Sequence, residues 1–214
     1  MKKLILFIYL TIQLFLYCSI LFININIPNS IITYSVILLN MILGLYMLQI
    51  SKEIDVIVTT FALLFTLISD TFLIFTDYKL PAMFTFSLVQ IFYMLKIKNL
   101  KSTFNINYID IIRITIILIT ITIMAFITHD LLVVITSFYF LMLVFNFIES
   151  IKLFKINWMI PVGFLLFIFC DIFVGLDFLD IDLNLNFNVI WFFYTPSQVL
   201  LTLSMFNNYL KKHN

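Results

Sequence analysis

Two short stretches of this chain place a carboxylate where a carboxylate is costly. Leu67–Asp77 reads LISDTFLIFTD and Phe167–Asp177 reads FIFCDIFVGLD, with Asp70 and Asp171 in matching places. An ionisable side chain at the centre of an apolar membrane helix costs about 2.5–3.5 kcal/mol on the insertion scale. Two carboxyls in one poorly hydrated site can divide acid and base work between them. One gives up a proton; the other steadies a developing cation or helps water to attack it. That chemistry requires both groups at one depth, on elements that face each other.

Those elements must be membrane helices. The chain has 214 residues, 64% of them apolar and only 11% charged, and a mean hydropathy of +1.16. Soluble domains carry about a quarter charged residues, so lipid has to be the solvent. A net charge of +1 without a basic face excludes a nucleic-acid partner. Cys18 and Cys170 both sit in apolar runs and are read as small hydrophobes. A spanning helix needs about 20 apolar residues. Eight runs qualify: Leu4–Ile23, Ile31–Ile50, Val56–Phe75, Leu80–Ile97, Tyr108–Ile127, Leu131–Phe147, Trp158–Leu176 and Val189–Phe206. The first follows Lys2 and Lys3 but is too long for a signal segment and lacks a small-residue cleavage site, so it is read as a helix.

The basic residues set the orientation. With the N-terminus in the cytoplasm, Lys2, Lys3, Lys52, Lys96, Lys98, Lys101, Lys152, Lys155, Lys211 and Lys212 fall inside, joined by Arg113 near Asp110. Of twelve Lys and Arg, only Lys79 is left outside. The expected fold is therefore all-α: a polytopic bundle of eight helices in the cell membrane, both termini cytoplasmic, forming one domain over residues 1–214. The outer segment Asp177–Asn188, with Asp177, Asp180 and Asp182, reads as a solvated connector. Phe65–Leu73 and Leu166–Val174 begin the likeness between the halves, which suggests two parallel four-helix repeats over residues 1–98 and 108–208, joined through Asn99–Asn107.

Helical rise then places the polar residues in layers. Asp70 and Asp171 each stand five residues before the outer end of their run, roughly 7–8 Å below that edge. Tyr194 reaches a similar depth. Asn40, Gln90, Tyr139 and Gln198 lie deeper, at roughly 12–15 Å, with Gln13 near them. Thr59, Thr66, Asp70 and Asp77 form one stripe, and Tyr194, Gln198 and Thr202 another. Turned toward one another, such stripes would line a cavity opening outward. Each of Gln13, Asn40 and Gln90 is equally read as an interhelical hydrogen-bond partner.

Several of these stretches resemble the YhhN-like lysoplasmalogenase family of eight-helix membrane proteins. The likeness is carried by Ser69-Asp70-Thr71-Phe72-Leu73, Gln90-Ile91-Phe92-Tyr93, Cys170-Asp171-Ile172-Phe173 and Tyr194-Thr195-Pro196-Ser197-Gln198, with Ser137-Phe138-Tyr139 and Met142 of the sixth helix. Gln90 stands where the family often has histidine, Cys170 where it often has serine, and the second helix has no lysine. The resemblance implies a hydrolase that cleaves the vinyl-ether bond of a lysoplasmalogen, giving a fatty aldehyde and a glycerophospho-headgroup. It implies Asp70 and Asp171 as catalytic groups, with Gln90, Tyr93, Tyr139, Tyr194 and Gln198 around the substrate, beside Asn40 and Thr66 from the polar layers and stripes above. The partner is then a single-chain phospholipid taken from the membrane.

No cofactor and no metal are expected. A zinc amidase would want about three histidines, and the chain has only His129 and His213, on opposite sides. No G-x-S-x-G elbow supports a serine hydrolase. The alternative from another class is a small proton-coupled transporter or lipid-binding protein, since paired carboxylates in repeated bundles also serve carriers. Against it, the helix interiors are poor in breaks: Gly44, Gly163 and Gly175 are the glycines, and Pro196 is the proline in a helix interior.

Overall fold

In the computed structural model, the residues described are 2–22, 28–76, 78–101, 108–178 and 188–213; for 2, 3, 177, 178, 188 and 208–213 only the backbone is described. All their regular structure is helical. The order is α1 (Lys2–Phe22), α2 (Asn29–Ile50), α3 (Ile54–Thr71), a π-helical turn (Phe72–Thr76), α4 (Lys79–Lys101), α5 (Tyr108–Thr128), α6 (Leu131–Ile151), α7 (Met159–Phe178) and α8 (Asn188–His213). All eight helices are long and apolar enough to cross a membrane. Of the acidic outer connector, Asp177 and Phe178 continue α7 and Asn188 opens α8, and of the joint between the proposed halves residues 99–101 extend α4; the remainders, 179–187 and 102–107, lie outside the described residues, as does Asp77.

Helices α2, α3, α4, α6, α7 and α8 close into a ring, each packed on the next and α8 packed back on α2. Helix α1 leans on α2 and α8, and α5 leans on α6, both on the outside of the ring. Burial follows that plan: α8 and α4 have 61% and 56% of their apolar windows buried, whereas α5 has 11% and presents the rest to lipid. Ile114, Leu118, Ile119 and Phe126 on α5 are exposed accordingly.

Local chemistry explains the ends and irregularities. Asp130 accepts a hydrogen bond from the Leu132 amide at 2.8 Å and caps α6, after a turn in which His129 takes φ 51°. Pro81 and Pro161 lie in first turns, where a missing N–H costs nothing. Pro196 is interior to α8 and so frees the carbonyl of Phe192 four residues back. The Tyr17 hydroxyl of α1 donates to that carbonyl at 3.2 Å, which explains how a proline is tolerated there.

Antiparallel α3 and α4 are pinned at both ends. The Ser69 hydroxyl donates to the Ala82 carbonyl at 2.6 Å. Fourteen residues away along both helices, Lys96 Nζ lies 3.0 Å from Asp55 Oδ1 and donates to Thr59 Oγ1 at 2.6 Å. Both charged side chains are buried. Beside them Lys98 pairs with Asp110 at 2.9 Å, and Glu149 forms ion pairs with Arg113 at 3.2 Å and Lys101 at 3.5 Å. Sequence spacing puts Arg113 near Asp110, whose charge does act on it, and its guanidinium is also buried against Glu149 and over the Phe145 ring. These ion pairs all gather at the end where α4 finishes.

That end is the inner one in the sequence reading, and the reading can be checked. Ser30→Cys and Thr128→Cys should react with an impermeant thiol reagent on intact cells, and a cysteine placed after Lys212 should not. The reverse pattern would invert the orientation.

Candidate active site

A cavity of about 770 Å³ lies within the ring at the opposite end, where the even-numbered helices begin. All six ring helices line it: Ser30 and Thr33 from α2, Asp70 from α3, Lys79, Met83 and Phe86 from α4, Thr136, Ser137, Tyr139 and Phe140 from α6, Phe167, Cys170 and Asp171 from α7, and Trp191 and Tyr194 from α8. Leu73 and Ile74, from the π-helical turn just past Asp70, complete one wall. A π turn widens the helix by a residue and is often found beside functional groups. Here it begins two residues after Asp70, which carries the carboxylate.

Each aspartate is held by a tyrosine from a different helix. The Tyr194 hydroxyl donates to Asp70 Oδ2, joining α8 to α3. The Tyr139 hydroxyl donates to Asp171 Oδ2, joining α6 to α7. Asp70 is buried, and Asp171 is partly exposed to the cavity. Ring contacts lock the two tyrosines in turn: Phe86 lies against Tyr139 at 5.6 Å between centroids and edge-on to Phe167 at 6.2 Å, and Phe167 meets Tyr194 at 5.8 Å. Trp191 stands perpendicular to Tyr194 at 5.3 Å. Such aromatic pairs favour tilted and edge-to-face contact. The result is two oriented carboxyls in a wall that is otherwise mostly apolar.

Of the residues the sequence offers for this site, Asp70, Asp171, Tyr139 and Tyr194 line the cavity, while Asn40, Thr66, Gln90, Tyr93 and Gln198 do not. Each of the five has a place elsewhere. Asn40 Oδ1 accepts the Tyr9 hydroxyl and, at 2.9 Å, Gln13 Nε2, fastening α1 to α2. The Asn146 amide of α6 donates to both oxygens of Gln90, backbone and side chain, at 2.8 and 3.1 Å. Thr66 returns its hydroxyl to the Ala62 carbonyl at 2.9 Å. Tyr93 is fully buried edge-on to Phe164 at 5.3 Å, and Gln198 is fully buried in α8. For Gln13, Asn40 and Gln90 the hydrogen-bond alternative is what the structure contains.

Sequence reasoning missed the aromatic floor of Phe86 and Phe167, and it missed Lys79 as a cavity residue. Phenylalanine is too frequent in this chain, at 26 residues, for any one to stand out. Lys79 carries a signal, being the one lysine or arginine that the charge rule leaves at its end of the bundle, where it counts only as an exception. No group of three or more His, Cys, Asp or Glu is placed to hold a metal among the described residues. Cys18 and Cys170 are free.

No curated protein and no solved structure matches the chain. The family model described as the YhhN family matches residues 29–205, which takes in the ring helices from the start of α2 to Met205 of α8 and every residue lining the cavity. With most of its length matched in this way, the chain is a multi-pass membrane protein belonging to the YhhN family.

Proposed function

We propose that this protein is a lysoplasmalogenase-like hydrolase that cleaves the vinyl-ether bond of a single-chain ether phospholipid, with Asp70 and Asp171 as its acid and base. The observation that carries this reading is the pair of tyrosine-held carboxyls in one mostly apolar cavity. Enol-ether cleavage needs a proton delivered to carbon. One carboxylic acid supplies it to the vinyl carbon remote from oxygen, and the other vinyl carbon becomes an oxocarbenium ion. The second carboxylate stabilises that cation and takes a proton from the water that adds to it. The hemiacetal so formed collapses to a fatty aldehyde and the glycerophospho-alcohol, with one water consumed. Glycosidases divide oxocarbenium chemistry between two carboxyls in a comparable way.

The tyrosines serve this chemistry by fixing direction. Each occupies one oxygen of its aspartate, leaving the other for proton transfer. Apolar walls suit a lipid chain and keep bulk water from competing.

Purified protein in detergent should release free aldehyde from a lysoplasmenyl lipid, at a rate that EDTA does not change. Turnover that vanishes with chelator and returns with zinc would overturn the two-carboxylate mechanism. Proton-coupled lipid uptake into vesicles without aldehyde would support the carrier instead.

A further inference from the structure

We propose that Lys79 binds the phosphate of the lipid held in this cavity, so that the rim beside it is an anion subsite; this rests on the lipid-substrate reading above. Lys79 is the first residue of α4 and lines the cavity. The Ser69–Ala82 hydrogen bond fixes how α4 stands against α3. Ala82 is level with Ser69, next to Asp70, so the α-carbon of Lys79 lies one turn further out, roughly 4.5 Å along the axis. In a single-chain ether phospholipid a glycerol unit separates the vinyl ether from the phosphate. With the vinyl ether at the carboxyls, the phosphate comes within reach of the flexible lysine stem.

The charges give the lipid a direction. The ionised member of the aspartate pair, deeper in the cavity, repels a phosphate, and the Lys79 ammonium at the rim attracts it. Among the described residues, the other polar side chains of the outer wall, such as Ser30, Thr136 and Ser137, are neutral hydroxyls. A lysine is a compact charge with three donors on a mobile stem, suited to a headgroup that enters and leaves.

The test uses a lipid that the vinyl-ether chemistry cannot cut. Purified protein in neutral detergent is titrated with lysophosphatidylethanolamine bearing an ester-linked chain, and with the monoacylglycerol of the same chain. Wild type should bind the phospholipid about tenfold more tightly, the worth of one charge-assisted contact. Lys79→Gln should erase that preference while leaving monoacylglycerol affinity unchanged, and Lys79→Arg should keep most of it. Inorganic phosphate, at the concentration of lipid that saturates, should displace nothing. An undiminished phospholipid preference in Lys79→Gln would overturn the subsite, and displacement by phosphate alone would replace the lipid headgroup with a free anion. Lys79-dependent binding without aldehyde release would sink the hydrolase and leave the subsite standing. Aldehyde release without a Lys79-dependent preference would do the opposite.

Discussion

Replacing Asp70 or Asp171 by asparagine should lower aldehyde release by about 10²–10⁴-fold, the usual worth of general acid–base help. Asparagine is nearly isosteric and keeps a carbonyl oxygen that can accept the tyrosine hydroxyl, so the Tyr194–Asp70 and Tyr139–Asp171 links have a replacement. What it removes is the proton and the charge. The helix bundle should be about as stable in the variants, because a neutral amide has no charge to desolvate. The double variant should be little worse than the poorer single one, since groups that act as a unit do not add. Turnover and thermal melting should be followed in the same detergent. Near-normal turnover in either folded single variant would remove that aspartate from the mechanism. Joint loss of fold and activity would make the pair a helix fastener.

A second large effect is expected far from the cavity, at the opposite end of α3 and α4. Lys96 is fully buried, 3.0 Å from a buried Asp55 and bonded to Thr59. Lys96→Met should cost about 3–5 kcal/mol, because it strands a carboxylate away from water. Pairing it with Asp55→Leu should recover most of that loss, since an apolar pair of similar volume needs no compensation. Reversible unfolding in mixed micelles measures both. Aldehyde release by the folded double variant should stay near wild type, which separates this fastener from the catalytic pair. A single Lys96→Met variant as stable as wild type would show that the ion pair holds nothing.

The contrast between the two carboxylate sites shows what the sequence could disclose. Hydropathy located all eight helices, because a bilayer demands long apolar runs whatever packs beside them. It stopped early at the inner ends of α4, α6 and α8, reading to Ile97, Phe147 and Phe206 where the helices run to Lys101, Ile151 and His213. Charge ends an apolar run, but it does not end a hydrogen-bonded ladder in the interface. An expected depth was legible too, since rise per residue is fixed. Direction around the helix axis was not. Asn40, Gln90 and Gln198 are assigned by rise to one layer with Tyr139, yet which of them meets the cavity depends on which helices are neighbours. That follows from the six-membered ring, in which α1 and α5 are excluded although each opens one of the proposed halves. The Asp55–Lys96 pair was hidden for the same reason: it needs the α3–α4 register, which a single bond between Ser69 and Ala82 discloses at once.

The most direct test of the central claim is the isotopic composition of the product. Purified protein is given a lysoplasmenyl lipid in heavy water, and the aldehyde is trapped as it forms and weighed by mass spectrometry. Protonation at carbon by an aspartic acid in exchange with solvent predicts one deuterium on the carbon next to the carbonyl, in wild type and at a greatly reduced rate in Asp70→Asn and Asp171→Asn. An aldehyde that carries no solvent deuterium, or no aldehyde at all from folded wild-type protein, would contradict the account.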